Sequence, residues 1–343
     1  MNQIVYDLRW SPAGGKRWVT QYSFCRYICW HCKATLQLYV HKDKYGVGLR
    51  SYLLYQIIDL QVPQNVVSRS VRQLFNLPLS SGSINHLKAT EAGRYEGTYR
   101  SILDGVVTGK LVHADETRVG IDRKDGYVWV FTNLEEVAFV YSETREAKTA
   151  QNVLLNFNGV LISDFYAAYD SIECAQQKCL IHLMSDLNDD LSKQPFNQEM
   201  RELAQEFVNL VRPMIESVDR FGLKTHYLRK HKCSVDRFYD ALCESDYKTD
   251  IAAGYKKRFE KNRTKLFTFL DHDGVPWNNN NAEHAIKAFA RVRNSIGGTS
   301  TINGIREYLV LLSISETCRY KGVSFFDFVR SGQTDINSFA GGS

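Results

Sequence analysis

At 343 residues and 39.4 kDa, with 44% hydrophobic and 12% aromatic residues, the chain can bury a sizeable core and is too apolar to be disordered. That length suits one large domain with an appendage, or two to three modules. The formal charge of +5 and pI near 8.6 permit a polyanionic partner. No apolar run approaches the roughly 18 residues that span a bilayer, and the opening MNQIVYDLRW lacks the pattern of a signal peptide, so a soluble cytoplasmic protein is expected.

Residues 1–48 read as irregular chain around YSFCRYICWHCKATL. Eight cysteines, three of them clustered here, fit reduced thiols or a metal better than a disulfide scaffold. Cys29 and Cys32 form a C-x-x-C pair that can grip one Zn2+, and Cys25 and His41 would complete four ligands. The spacing matches no standard zinc module, and buried metal-free thiols are the competing reading. Residues 49–109 read as helical, with apolar residues three and four apart in SYLLYQIIDLQ, NVVSRSVRQLFN and SGSINHLKATEAGRYEGTYRSIL. The link NLPLS resembles a helix-turn-helix corner with Ser83-Ile84-Asn85-His86 opening a recognition helix; a plain helical hairpin is the commoner structure.

From Lys110 the pattern changes to strands. KLVHADET, GYVWVFTN and EVAFVYS are expected strands, REAKTAQNVLLNF a helix, and GVLISDFYAAYD a buried strand. The first and fourth strands run into Asp115 and Asp164, and functional groups gather at strand ends of α/β sheets. This order, with acids in those places, is that of the ribonuclease H-like fold. Residues 186–275 then read as helical and polar. HYLRKHKC and YKKRFEKNRTKLFTF there interleave Lys256, Lys257, Arg258, Lys261 and Arg263 with aromatics, either as a solvated face or as a nucleic-acid surface. The break DHDGVPWNNNN leads to a basic amphipathic helix carrying Glu283, His284, Lys287, Arg291 and Arg293, with Asn281 the expected helix cap.

Asp115, Asp164 and Glu283 are hard oxygen ligands of the kind Mg2+ prefers. From two strands and one helix they would hold two ions (Mg2+ or Mn2+) roughly 3.5–4 Å apart, as in-line displacement at phosphorus requires. Like charges drawn together make sense mainly as a cation site. Among rival acids, strand alternation sends Glu116 to the opposite face, and Asp170 is expected on or before the next helix. Asp122, Asp125, Asp271 and Asp273 sit in turns, which leaves Glu307 as the main alternative to Glu283.

DET at Asp115, SDFYAAYD at Asp164, KLFTFLDHDGVPWNNNNAEHAIK around Glu283 and the tail IREYLVLLSISETCRYKGVSFFDFV resemble the transposases of the insertion-sequence 66 family, a bacterial DDE group. The likeness covers about residues 110–329. It implies a ribonuclease H-like catalytic core with a mixed five-stranded sheet and a large helical insertion before the last acid, for which the 119 positions from Asp164 to Glu283 leave room. QKCLIH further resembles a C-x-x-H of related transposases, which would bring Cys179 and His182 near the site, with His182 at the scissile phosphate. Family members carry a longer amino-terminal part with two cysteine pairs in a zinc module; this sequence has the second half, around Cys29 and Cys32, and has His284 where Arg is common.

The expected organisation is a Cys-containing module (1–48), a helical DNA-binding region (49–109), the catalytic core (110–185 and 276–343) and a helical insertion (186–275). The expected function is DNA cleavage at mobile-element ends with 3′-hydroxyl strand transfer, by a dimer on double-stranded DNA near the bacterial nucleoid, with element-encoded accessory proteins as further partners. A nuclease of the same fold without strand transfer, or a non-catalytic DNA-binding descendant, are the alternatives.

Overall fold

The described residues between 2 and 37 carry two hairpins rather than irregular chain. The computed structural model describes residues 2–23, 25–37, 43–121, 124–296 and 301–341. Strand β1 (Asn2–Ser11) pairs antiparallel with β2 (Gly14–Ser23), from Asn2 opposite Ser23 to Ser11 opposite Gly14. Gly14 takes φ +113° to close the turn, a backbone state open to glycine. The alternation was hard to read because β1 buries only Val5 and Leu8, while β2 is largely exposed. A shorter hairpin follows, β3 (Arg26–Ile28) with β4 (Thr35–Gln37).

The first hairpin seats the helices. Asp7 Oδ1 accepts from Leu49 N at 2.8 Å, capping the first turn of α1 (Val47–Leu54) from outside. A Cβ on Gly48 would meet Leu8 O at 1.9 Å, so only glycine lets this helix approach. A π-helical turn (Tyr55–Asp59) leads to α2 (Gln64–Phe75), α3 (Ser81–Arg94) and α4 (Glu96–Thr108). The sequence suggested one helix over α3 and α4. It breaks at Tyr95, which is buried against Phe328 and flanked by the helix-weakening Gly93 and Gly97.

The central sheet has the order β7-β6-β5-β8-β9. Its strands are β5 (Leu111–Ile121), β6 (Lys124–Thr132), β7 (Val137–Ser142), β8 (Val160–Ser163) and β9 (Ala175–Lys178); α5 (Lys148–Val153) precedes β8. β5, β6 and β7 form an antiparallel meander, while β8 and β9 run parallel to β5. This mixed five-stranded α/β arrangement is consistent with the expected ribonuclease H-like core.

Beyond β9 come α6 (Leu180–Lys193), α7 (Gln198–Phe221), α8 (Thr225–Leu228), α9 (Lys232–Glu244), α10 (Asp250–Lys261) and α11 (Arg263–Leu266). They enclose their own apolar cluster, centred on Phe207, Phe238 and Phe259, which abuts Val160 and Ile162 of β8. The chain ends with α12 (Asn280–Ile296), α13 (Ile302–Tyr320), α14 (Phe325–Ser331) and α15 (Ile336–Gly341). One continuous core links Leu8, helices α1–α4, the meander and α13.

Helix α13 is buried on nearly every side and closes the β7 edge of the sheet. Ser313 Oγ accepts from Phe139 N at 2.9 Å, and Thr317 Oγ1 accepts from Val137 N at 3.1 Å. These hydroxyls supply the partners that an edge strand otherwise lacks. Ser313→Ala strands a buried amide and is expected to lower unfolding stability by about 1–3 kcal/mol, measured by denaturant titration.

Candidate active site

The sheet register brings two of the predicted acids together. β5 and β8 pair in parallel as Leu111–Val160, Val112–Leu161 and His113–Ile162, and continuing that register sets Asp115 opposite Asp164. Asp164 follows the end of β8 directly. Asp115 is not at a strand end, as the sequence suggested: β5 runs on to Ile121 because β6 pairs along it, and only the parallel partner stops. Alternation puts His113, Asp115 and Thr117 on one face. Glu116 lies on the other, its side chain only 1% exposed, accepting from Arg145 Nε at 3.0 Å and Tyr169 OH at 2.5 Å.

The asparagine run delivers the third acid. Glu283 N donates to Asn279 O at 3.2 Å, the first intrahelical bond of α12, so Asn279 caps the helix and not Asn281. Glu283 then falls in the first turn, as expected. Asn279 is 1% exposed and ties three segments. Its Nδ2 donates to Ala114 O at 2.9 Å, its Oδ1 accepts from His113 Nδ1 at 3.0 Å, and its backbone N donates to Cys179 Sγ at 3.3 Å. Since Asn279 Oδ1 can only accept, the neutral His113 carries its proton on Nδ1; burial lowers its pKa to about 4. Asn278 Oδ1 accepts from Asn280 N and shapes the turn. Asn281 faces away from the acids, bonded to Thr132 Oγ1 and accepting from Tyr320 OH at 2.7 Å. Neither Asn279 nor His113 was singled out from the sequence. A buried-strand histidine two residues before a key acid was the available signal.

The acids feel one another. Burial first, then the charge of Glu116, and then those of Asp164 and Glu283 raise the Asp115 pKa from 3.8 to about 7. Three half-buried carboxylates that repel one another, all hard oxygen donors, fit a divalent hard cation. Glu307, the alternative third ligand, lies instead on α13 beside the buried Lys88 and lines a cavity between α2, α3 and α13.

Cys179 occupies the N-cap of α6, between β9 and that helix, and is fully buried; His182 follows in the first turn. His182 Nδ1 lies 3.8 Å from Glu283 Oε1. Contact with Cys179 raises the His182 pKa to about 9 against the opposing effect of burial, and Glu283 and Asp164 add to the rise. These contacts favour the protonated imidazole more than in a free histidine.

Basic residues divide by what they touch. His284, Lys287 and Arg291 are exposed along one stripe of α12, and Arg293 donates to Thr117 Oγ1 at 2.7 Å, beside the Asp115 face of β5. On α10 and α11, Lys256 donates to Cys243 O and Ser245 O, Arg258 pairs with Asp186 at 2.7 Å and lies over Phe165, and Arg263 lies over Tyr239. Lys257 sits on the same helix. Lys261 joins Lys178 and Lys265 around Asp170, at 3.4, 3.3 and 2.9 Å. Burial opposes it, yet these lysines hold the Asp170 carboxyl below its ordinary value, and the cluster carries excess positive charge near Asp164. Among the expected zinc ligands, Cys25, Cys29 and Cys32 are exposed free thiols, so the buried-thiol reading does not hold; His41 lies outside the described residues. Cys29 N donates to Ala34 O and Lys33 N to Cys29 O, which curls the C-x-x-C into a tight turn.

Residues 42–307 match the family model described as Transposase IS66 family. The chain belongs to that family. No curated protein matches it. Membership of the IS66 transposases makes DNA the partner and implies dependence on a divalent metal. No helix among the described residues is long and apolar enough to cross a membrane.

Proposed function

We propose that this IS66-family chain is a DNA transposase that cuts phosphodiester bonds at the ends of a mobile element and joins the freed 3′-hydroxyls to target DNA. The convergence of Asp115, Asp164 and Glu283 from two neighbouring strands and one helix carries the reading. These carboxylates would hold two Mg2+ or Mn2+ ions, which supply charge neutralisation at the reacting phosphate and an activated oxygen nucleophile. The protein's own work is positioning. Asn279 fixes the Glu283 helix against β5, and Glu116, bound to Arg145 and Tyr169, holds the strand from its other face. His182 and the stripe of Lys287 and Arg291 face the backbone phosphates, with Lys257, Lys261 and Arg293 extending the surface.

Double-stranded DNA ends and target are the substrates, and two ends cut together call for a dimer on DNA at the nucleoid. The β1–β2 hairpin, the C-x-x-C turn and helices α2 and α3 are the proposed end-recognition elements, with Zn2+ at the cysteines. Incubating the protein with a labelled element end and Mg2+ should give both a cleaved and a joined product. Cleavage without joining would favour a nuclease, and neither product would sink the reading.

The phosphate stripe makes its own prediction. Binding should weaken steeply with salt, and replacing Lys287 and Arg291 together by alanine should reduce the log–log slope by about 2. Fluorescence anisotropy at several salt concentrations measures this; an unchanged slope places the DNA elsewhere.

A further inference from the structure

We propose that Cys179, His182 and Glu283 form a second cation site, selective for a soft or borderline divalent ion such as Zn2+, which shares Glu283 with the hard-ion site of the two aspartates. Their donor atoms Sγ, ring N and carboxylate O all lie within 4.8 Å of one another. Ligand pairs in a tetrahedral zinc site stand roughly 3–4 Å apart, so a small closure completes the geometry. The set is thiolate, imidazole and carboxylate. That combination suits Zn2+ or Co2+, and the sulfur makes it poor for Mg2+.

Further observations point the same way. His182 Nδ1 is buried and aimed at the cluster, with Glu283 Oε1 at 3.8 Å, the Cys179 thiol in contact and no hydrogen bond to any group outside it. Cys179 Sγ already accepts the backbone N–H of Asn279 at 3.3 Å, an outer partner of the kind that orients a metal-bound sulfur. His182 is 43% and Glu283 30% exposed, which leaves an entry path and room for a fourth, solvent ligand. Cys179 and His182 stand at N-cap and third helical position, so one turn presents both to the same side.

The consequence is competition. An ion bound here draws Glu283 away from Asp115 and Asp164, and occupies the imidazole that otherwise meets phosphate. Zn2+ is then an inhibitor of the Mg2+-supported reaction rather than its cofactor. The site itself stands on the geometry alone, and only this consequence rests on the transposase reading.

The test is optical and needs no DNA. Co2+ is titrated into the full chain carrying Cys25→Ser, Cys29→Ser and Cys32→Ser, which silences the amino-terminal thiols. A thiolate-to-cobalt charge-transfer band saturating at one ion per chain is expected, and Zn2+ should abolish it by displacement. Cys179→Ser should remove the band, His182→Ala and Glu283→Gln should weaken Co2+ binding at least roughly tenfold, and Asp115→Asn should retain it. Thermal melts without metal confirm that each variant is folded. Absence of the band, or its persistence in Cys179→Ser, overturns the site. With the band present, Zn2+ failing to inhibit Mg2+-supported cleavage would overturn the competition but not the site.

Discussion

Asp115→Asn is expected to lose Mg2+-dependent cleavage by about a thousandfold or more while the apo protein becomes more stable at pH 8. The first effect follows from removing a ligand whose ion contributes several kcal/mol to the transition state, each 1.36 kcal/mol being tenfold in rate. The second follows from linkage. The folded-state pKa of Asp115 is raised from 3.8 to about 7, so the folded protein binds more protons than the unfolded chain between those values. Stability therefore falls as pH rises from about 4 to 7, and the whole penalty, at most on the order of 4 kcal/mol, is present above pH 7. Asparagine carries no charge and removes it. Thermal melts from pH 4 to 8 should show a steeper decline for the parent than for Asp115→Asn. Mg2+ should raise the melting temperature of the parent at pH 8 and leave the variant nearly unmoved. Glu283→Gln should lose cleavage likewise; if it cleaves as fast as the parent, the third ligand is misassigned.

Asn279→Ala should be among the most damaging single changes outside the apolar core. It leaves the His113 Nδ1–H and the Ala114 carbonyl buried without partners, each costing about 1–3 kcal/mol. A loss of about 3 kcal/mol is expected, read as a lower urea midpoint at unchanged slope. Because the same side chain ties β5 to the start of α12, the distance from Asp115 to Glu283 is no longer held. Cleavage should therefore fall further than the unfolded fraction explains, measured at a temperature where the variant is fully folded. Activity that merely tracks the folded fraction would make Asn279 a stability residue alone.

Strands with apolar side chains on both faces were legible in the sequence: GYVWVFTN, EVAFVYS and GVLIS all sit in the sheet. β9 was not, because its residues are Ala-Gln-Gln-Lys. Much of its polarity is met from outside the strand, Gln176 Oε1 excepted: Gln177 bridges Leu266 O and Phe269 N, and Lys178 reaches Asp170 and Ser163. Such partners lie up to 92 positions away, where no local pattern reveals them. The opening hairpin was missed because its faces are hardly distinguished in burial. At the site, acids could be picked out by their places after apolar runs, and the asparagine run pointed to Glu283. The individual role of each asparagine could not be read, since it depends on which neighbour the fold brings near: Asn279 meets β5, whereas Asn281 meets Tyr320.

The two margins of the sheet bear on how copies of this protein can meet. On one side α13 offers its hydroxyls to β7, and on the other Thr268 Oγ1 donates to Gln176 O of β9 at 2.6 Å. Part of each margin is thus already paired, which leaves another polypeptide less of a template onto which to zip its backbone. In the proposed dimer on DNA, contacts between subunits are then expected through helices, the amino-terminal ribbon or the nucleic acid itself. Contacts of that sort come apart without melting any strand pairing, which would suit the proposed assembly if it is dismantled after strand transfer.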